Sequence, residues 1–357
     1  MSKILHIFPE LGGGGTEDVI LKITNYISYK SDIKIAICAE TESGIRASDF
    51  QKANIELFNI PFLCNKKKIF RNLINLNTAI KKFKPQLIHT HSLYVLVLAY
   101  IIKKISKIDY RIIHTGHGGP RANYDQLATR LIWMVDKYIT ISKYSYEYII
   151  QKCQKEKVEL IYNGTEAPKD FEIVDNKLAF EKLKMVFIGR LTHQKGLTIL
   201  IEAIEKLHKK GFDFKVIVIG SGEEHDNLER MIKEKKLESS FEFKGYVKEP
   251  WAEISDYPVV VMPSLWEPGG LVAIEAIVRN HTIIGSNIQG LKDTINDGEN
   301  GYIFEAGNSE DLAAKILYIY SNHKYINLSI AERDKYLFEN RTGPKYLKLY
   351  KKILSEV

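Results

Sequence analysis

The sequence predicts an α/β protein with two doubly wound, mostly parallel β-sheets, each in a domain of its own. Short apolar runs alternate with helical stretches through the first half of the chain, and the alternation restarts at residue 184. The length of 357 residues exceeds one typical core and suits two domains. Alternating strands and helices favour parallel sheets covered on both faces. We therefore expect two Rossmann-like domains that face a central cleft.

The first domain is predicted to span residues 1–165. It opens with an apolar strand at residues 3–8 and a glycine cluster at residues 12–15. A helix follows, because Val19, Ile20 and Ile23 recur at helical spacing. Helical stretches separate most of the later strands, as a parallel sheet requires. Those strands are predicted at residues 33–39, 87–91, 111–115, 138–141 and 158–162.

The second domain is predicted to span residues 166–340. The joint lies near residues 163–178, where Gly, Pro and acidic residues interrupt the periodicity. The last segment, residues 341–357, is an amphipathic helix by its apolar spacing. A further helix is expected at residues 198–210. The strands are predicted at residues 184–188, 214–219, 241–243, 259–262 and 282–284.

The composition excludes several classes of protein. Hydrophobic residues make up 45% and charged residues 27%, as in ordinary soluble globular proteins. The three cysteines lack CxxC spacing, so neither a disulfide framework nor a structural zinc site is indicated. No signal sequence and no run of about 20 apolar residues is evident. We therefore expect a cytoplasmic protein without a spanning helix.

Basic residues are concentrated in the first half. Residues 1–165 contain 24 Lys and Arg against 14 Asp and Glu, and no acidic residue lies between Glu56 and Asp109. Residues 66–84 alternate basic and apolar side chains at helical spacing, which is typical of a helix lying on an anionic membrane. We expect peripheral association with an anionic membrane surface, such as the inner face of the cytoplasmic membrane. A solvated basic face is the alternative.

Candidate binding residues follow the predicted strands, because ligands of open parallel sheets bind beyond the carboxyl ends of the strands. Gly189, Arg190 and Lys195 follow one strand, and the arginine fork with the compact lysine charge suits a diphosphate. Gly220 opens a Gly-Ser-Gly turn that lets a ligand approach the backbone. Solvated loop residues and a plain turn are the alternatives.

The strongest motif spans residues 262–276 and places Glu267 and Glu275 eight positions apart. It follows a strand and opens a helix, whose free N–H groups form an anion site. A carboxylate near phosphates is unfavourable unless it contacts hydroxyl groups. The motif therefore indicates a ligand that carries sugar and ribose hydroxyls.

This motif resembles the E-x7-E signature of the family 4 glycosyltransferases, which have the GT-B fold. The motifs at residues 187–196, 218–222, 243–247 and 297–302 follow the family's order, so the resemblance covers nearly the whole chain. It implies a retaining transferase that takes a sugar from a nucleotide donor, a UDP- or GDP-sugar, and a C-terminal helix that crosses back to the N-terminal domain. With the basic segment at residues 66–84, we expect a glycan or lipid-linked acceptor and a role in cell-surface polysaccharide or lipopolysaccharide biosynthesis.

The resemblance assigns donor-binding roles. Arg190 and Lys195 would bind the donor diphosphate, helped by the backbone N–H groups of Gly270 and Leu271. Glu275 would hold the ribose hydroxyls.

The sugar, the base and the opposite wall of the site receive further residues. Glu267 would hold hydroxyls of the transferred sugar, and the backbone around Tyr246 and Val247 would meet the base. Gly13 and Gly14 would close over the diphosphate from the other domain.

Gly269 departs from the family's pattern, because the family often has an aromatic residue there. We therefore expect a looser pocket wall at this position.

Histidines of the first domain complete the predicted site. His117 matches the family's histidine near the reacting sugar, where it would contact a hydroxyl or help hold transition-state charge. His91 is predicted to contact sugar or acceptor, with a buried, hydrogen-bonded histidine as the equal alternative. His89 and His91 resemble a metal pair, but no third ligand is evident and the sequence has no DxD motif. We therefore expect no metal and no cofactor.

The sequence shows no nucleophile placed like those of retaining hydrolases, so a front-face substitution is the hypothesis. Charge on the departing diphosphate would be stabilised where it develops. The alternatives are another GT-B enzyme, such as a sugar-nucleotide epimerase, and a catalytically silent sugar-nucleotide-binding or scaffold protein. No nucleic-acid partner is expected, because RNA-binding motifs are absent.

Overall fold

The computed structural model describes residues 2–11, 14–41, 47–52, 55–118, 123–169, 172–174 and 184–356. The chain divides into two compact units. The first unit comprises Met1–Asn163 and Phe338–Val357, and the second comprises Gly164–Leu337.

The first unit is built on a seven-stranded parallel sheet. Its strands are β1 (Lys3–Glu10), β2 (Lys34–Glu40), β3 (Glu56–Asn59), β4 (Leu87–Thr90), β5 (Arg111–Gly116), β6 (Lys137–Thr140) and β7 (Val158–Leu160). The strand order is β3-β2-β1-β4-β5-β6-β7. The strand order reverses between β1 and β4. Ligands of such sheets bind at the carboxyl ends of the strands beside this switch point.

Helices cover this sheet and bury its apolar core. They are α1 (Gly15–Lys30), α2 (Ala47–Lys52), α3 (Ile69–Phe83), α4 (Leu93–Ser106), α5 (Asn123–Leu131) and α6 (Lys143–Ile150). Helix α3 buries Leu76, Ile80 and Phe83, so much of the apolar face predicted at residues 66–84 packs on the core of the first unit.

The second unit repeats the plan with a six-stranded parallel sheet in the order β10-β9-β8-β11-β12-β13. Those strands are β8 (Lys184–Ile188), β9 (Lys215–Ile219), β10 (Phe241–Gly245), β11 (Val259–Met262), β12 (Thr282–Ser286) and β13 (Tyr302–Phe304). Its helices are α7 (Leu197–His208), α8 (His225–Glu234), α9 (Leu271–Val278), α10 (Gln289–Lys292), α11 (Ser309–Asn322) and α12 (Ile330–Asp334).

The last two helices, α13 (Phe338–Arg341) and α14 (Gly343–Ser355), belong to the first unit. Helix α14 buries Tyr346 and Tyr350 on one face, one turn apart. Gly343 lies against the Tyr26 ring, where a Cβ atom would stand 2.8 Å from the ring carbons. The close fit leaves no room for a side chain at this position.

The two parallel α/β units confirm the fold class. The sequence did not predict strands β3 and β13, which have four and three residues and lie at sheet edges. No residue of β3 is buried, so the strand lacks the apolar run that marks the central strands.

Within the described residues, no helix combines the length and the apolarity needed to cross a lipid bilayer.

Candidate functional site

The turn from β8 to α7 carries the predicted diphosphate cations. Gly189 donates its N–H to the Ile219 carbonyl at 3.0 Å, which ties this turn to the end of β9. Gly220 has a φ of 143°, and a Cβ atom there would lie 1.9 Å from the Gly189 oxygen. Glycine is therefore required at position 220 by the approach of two backbones, whatever ligand binds. The Arg190 side chain is left exposed beside them.

Lys195 and Glu267, which the sequence placed in different motifs, form an ion pair. The Lys195 Nζ lies 2.5 Å from the Glu267 Oε2, and the two side chains are 16% and 11% exposed. The backbones hold the pair in place, because Leu265 donates to the Gln194 carbonyl at 2.8 Å. A diphosphate that reaches Lys195 must therefore share it with a carboxylate.

Gly290 packs against the backbone at Glu267. A Cβ atom at Gly290 would lie 1.7 Å from the Glu267 carbonyl oxygen, so the start of α10 packs directly on this segment.

Helix α9 begins directly after the carboxylate. Gly270 precedes it with a φ of 55° and a ψ of 40°, and no side chain caps the helix. Leu271 is its first residue, and the first N–H groups of a helix lack intrahelical acceptors. The predicted donors of Gly270 and Leu271 thus lie at a helix N-terminus, with Gly269 half-buried before them.

Glu275 lies on the second turn of α9 and is oriented by residues outside the motif. Its Oε2 accepts a hydrogen bond from the Trp251 indole N–H at 3.1 Å. The Arg279 guanidinium stacks 5.0 Å from the centroid of that indole and pairs with Glu172 at 2.8 Å. The sequence did not predict these roles, because Trp251 and Glu172 lie far from Glu275 in sequence and Arg279 lies just beyond the end of the motif.

Tyr246 and Val247 follow the end of β10 at the same edge of the sheet. Tyr246 is 59% exposed, whereas Val247 packs on the core of the second unit. Gly245 precedes them with a φ of 67°. The structure thus leaves the predicted base-contact segment accessible.

In the first unit, Gly14 is the residue before α1, with an extended backbone. Gly13, the other residue predicted to close over the diphosphate, lies outside the described residues.

His117 follows β5 and starts a chain of hydrogen bonds. Its Nε2 lies 2.9 Å from the His91 Nδ1, and the His91 Nε2 lies 3.0 Å from the His6 Nδ1. The structure therefore places His91 behind His117, 5% exposed and hydrogen-bonded at both nitrogens. This is the arrangement that the sequence left as the alternative to a direct ligand contact.

The chain of hydrogen bonds continues from His6 to side chains of helix α14. The Tyr350 hydroxyl lies 3.4 Å from the His6 Nε2 and 2.7 Å from the His89 Nδ1. The His89 Nε2 lies 2.8 Å from the Thr115 Oγ1, which lies 3.1 Å from the Tyr346 hydroxyl. We call this set the histidine–tyrosine chain; its members are His117, His91, His6, Tyr350, His89, Thr115 and Tyr346.

Sheet register explains why these rings meet. His6 on β1 pairs directly with His89 on β4, so both side chains project from the same face of the sheet. Tyr346 and Tyr350 reach that face from α14. The sequence signal was available in His6, a polar residue inside an apolar strand, and in the one-turn spacing of the tyrosines.

Burial keeps these rings neutral. It lowers the pKa of His6 to about 3 and that of His117 to about 4, since a charged imidazole loses its hydration there. Burial and the neighbouring histidines also hold the pKa values of His89 and His91 well below the ordinary value.

His6 also supplies the third partner that the sequence analysis found missing for a metal. Nitrogens of His6, His89 and His91 lie within 4.8 Å of one another. Each of the six ring nitrogens, however, already has a hydrogen-bond partner. A metal could bind these rings only by replacing that network.

Comparison with known proteins covers both units. The family model "Glycosyltransferase Family 4" matches residues 13–167, and "Glycosyl transferases group 1" matches residues 168–334. The O-antigen biosynthesis glycosyltransferase WclY of Escherichia coli is 24% identical over 385 aligned positions, covering 99% of each chain. A poly(ribitol-phosphate) alpha-N-acetylglucosaminyltransferase of Staphylococcus aureus is 29% identical over 221 positions, covering 60% of this chain and 44% of that protein.

Solved structures share the fold. HepE of Anabaena in complex with UDP-glucose superposes with a TM-score of 0.81 at 19% identity, and the match covers 100% of both chains. The motifs after β8 and β11, the two parallel sheets and the two family models agree. The chain belongs to the family 4 glycosyltransferases and has the GT-B fold.

Proposed function

We propose that the protein transfers a sugar from a UDP- or GDP-sugar to a glycan or lipid-linked acceptor, with retention at the anomeric carbon. The observation that carries the proposal is the charge arrangement at β8 and β11, which are neighbouring strands. Arg190 and Lys195 offer cations to a diphosphate, and Glu267 and Glu275 offer acceptors to hydroxyl groups. A nucleotide sugar carries both kinds of group in one molecule.

Leaving-group stabilisation is the step that this arrangement serves. Negative charge develops on the diphosphate as the glycosidic bond breaks, and preorganised cations and helix N–H groups act most strongly there. The departing phosphate oxygen would take the proton of the acceptor hydroxyl. The cations of the protein would thus stabilise the leaving group without a metal or other cofactor.

The relatives support a setting in cell-surface polysaccharide or lipopolysaccharide synthesis. WclY is named for O-antigen biosynthesis, and the Staphylococcus aureus protein acts on poly(ribitol-phosphate). HepE holds UDP-glucose, so UDP-sugars are the first donors to test.

A surface on α3 supports peripheral attachment to an anionic membrane. Phe70 and Ile74 lie one turn apart and are 80% and 67% exposed. Lys66–Lys68 and Arg71 are exposed beside them. Apolar side chains flanked by cations insert into the interface of anionic bilayers. Each cation adds about 1 kcal/mol to the free energy of membrane binding.

Thermal stabilisation by nucleotides tests the donor. We expect UDP or GDP, but not ADP or CMP, to raise the unfolding midpoint of the purified protein, with or without EDTA. The stereochemistry is tested by the NMR coupling of the anomeric proton in the first product. If no nucleoside diphosphate changes the midpoint, the scaffold interpretation is favoured instead.

Co-sedimentation with anionic liposomes tests the membrane part separately. We expect binding at low salt and its loss in the Phe70→Ser, Ile74→Ser double variant. Tyr29→Ser is the matched control, since Tyr29 is 83% exposed on α1 of the same unit. Binding that survives the double variant would point to a different surface, and absent binding of the unaltered protein would favour a soluble acceptor.

A further inference from the structure

The hydrogen bonds of the histidine–tyrosine chain have a donor-to-acceptor direction, and each ring imposes that direction on the next bond. A neutral imidazole has one N–H donor and one lone-pair acceptor. A ring that accepts at one nitrogen must therefore donate at the other. Because the four rings are neutral, the histidine–tyrosine chain has two complete arrangements of donors and acceptors, which run in opposite directions.

Tyr346 fixes which arrangement forms. Its side chain is 1% exposed, and burial raises the pKa of its hydroxyl, which therefore keeps its proton. Thr115 is its one hydrogen-bond partner among the described residues. A buried hydroxyl proton without an acceptor is costly, so Tyr346 donates to the Thr115 Oγ1.

The next bonds follow from that first one. Thr115 accepts from Tyr346, and among the described residues the His89 Nε2 is the acceptor left for its own hydroxyl proton. With its Nε2 accepting, His89 carries its proton on Nδ1 and donates it to the Tyr350 oxygen. The His6 Nε2 is then the acceptor left, among the described residues, for the hydroxyl proton of Tyr350.

Two more hydrogen bonds extend this donor-to-acceptor direction to His117. His6 donates from Nδ1 to the His91 Nε2, and His91 donates from Nδ1 to the His117 Nε2. His117 accepts at Nε2 and therefore carries its proton on Nδ1. Among the described residues, this Nδ1 has no hydrogen-bond partner, and the ring is half-buried.

We propose that the histidine–tyrosine chain holds His117 as its Nδ1–H tautomer, which makes this histidine a hydrogen-bond donor toward a lone-pair oxygen of the bound ligand and not a general base. The ligand group would be a sugar hydroxyl or a phosphate oxygen. Successive bonds polarise one another, so the chain also strengthens that donor. Tyr346 and Tyr350 act as positioning residues, although the whole second unit separates them in sequence from the strands of the first unit.

The role of this donor in sugar transfer rests on the proposed function, but the tautomer itself does not. It is measurable without any substrate. A protein that shows the tautomer and transfers no sugar would overturn the proposed function alone.

Nitrogen NMR of the full-length, ¹⁵N-histidine-labelled protein tests the tautomer at neutral pH. The protonated ring nitrogen resonates well upfield of the unprotonated one. We expect all four histidines of the chain as Nδ1–H, the less populated neutral form of free histidine. His281 provides the reference, because its Nδ1 donates to the Tyr257 carbonyl at 2.8 Å. Loss of a signal in His117→Gln assigns the key resonance.

Tyr350→Phe removes one oxygen from the middle of the chain. We expect His6, His91 and His117 to gain Nε2–H population together, while His281 stays unchanged. Tyr110→Phe is the matched control: its hydroxyl is also fully buried, but it donates to the Ala99 carbonyl outside the chain. Should Tyr350→Phe fail to fold, Thr115→Val interrupts the same direction with a residue of the same shape.

The proposal is overturned if His117 of the unaltered protein carries its neutral proton on Nε2, or is charged at neutral pH. It is also overturned if the folded Tyr350→Phe or Thr115→Val variant leaves the His117 spectrum unchanged. A general loss of structure would disturb the Tyr110→Phe control equally, which separates packing from direction.

Discussion

The two units place their candidate residues at the carboxyl ends of similar parallel sheets but prepare them in opposite ways. The second unit uses formal charges near the surface, with Arg190 exposed and Lys195 paired to Glu267. The first unit uses neutral rings and hydroxyls, nearly all buried, in the histidine–tyrosine chain. Charge suits binding of an anion, whereas a neutral directed chain fixes the position of one proton.

This difference means that pH, charge removal and hydroxyl removal should affect the two units differently.

Acid should unfold the first unit before the second. The first unit buries His6, His89, His91 and His114 and half-buries His117, whereas the second buries His281 among its described histidines. A histidine whose folded pKa is lowered binds its proton in the unfolded chain first, so stability is present above pH 6.5 and is lost as pH falls. For His6 this loss continues to about pH 3. Each such group removes up to about 1.4 kcal/mol per pH unit.

Hydrogen exchange followed by mass spectrometry between pH 7 and pH 4 measures this unit by unit. Peptides of β1, β4 and β5 should lose protection at a higher pH than those of β8, β11 and β12. Simultaneous loss in both units would contradict the prediction.

Arg190→Ala should reduce turnover by about 10²–10³-fold, the usual cost of one group that stabilises developing charge. The unfolding midpoint should stay unchanged, because the side chain is exposed. Arg230→Ala is the control, an exposed arginine on α8 of the same unit. Near-normal turnover of Arg190→Ala would remove the leaving-group role.

The Lys195–Glu267 pair should respond with opposite signs to loss of its two members. Lys195→Met leaves a carboxylate facing the diphosphate and should weaken nucleotide binding by roughly tenfold or more. Glu267→Gln frees the lysine and should leave binding equal or tighter, while sugar transfer falls. Isothermal titration with UDP or GDP measures both. Equal weakening by the two substitutions would show that the pair acts only as a structural unit.

Trp251→Phe should have the smallest effect, since it removes one hydrogen bond to Glu275. A net hydrogen bond of about 1 kcal/mol corresponds to roughly a fivefold increase in the nucleotide dissociation constant. Trp133→Phe is the control, because that indole donates to the Arg130 carbonyl in the other unit. An unchanged constant for Trp251→Phe would mean that Glu275 keeps its orientation by other contacts.

Local patterns allowed the fold and the motif positions to be predicted. Apolar runs identified the central strands, and the glycine and carboxylate motifs lie at strand ends as expected. The edge strand β3 gave no such signal, because none of its four residues is buried. Strand β13 is apolar, but it has only three residues, Tyr302–Phe304.

Contacts between segments distant in sequence could not be predicted from the sequence. The bond from Trp251 to Glu275, the Lys195–Glu267 pair and the His6–His89 register all depend on three-dimensional packing. The third histidine near His89 and His91 was missed for the same reason, since 83 residues separate His6 from His89 in the sequence.

The discontinuity of the first unit sets an order of events during synthesis. Tyr346 and Tyr350 lie beyond Leu337, after the whole second unit. At about 5–20 residues per second, the ribosome needs roughly 9–35 s to translate the second unit, Gly164–Leu337. Until then, the buried histidines on β1 and β4 lack their tyrosine partners, and the nascent first unit remains unfinished. His117 therefore acquires its orientation only after translation has passed the second unit.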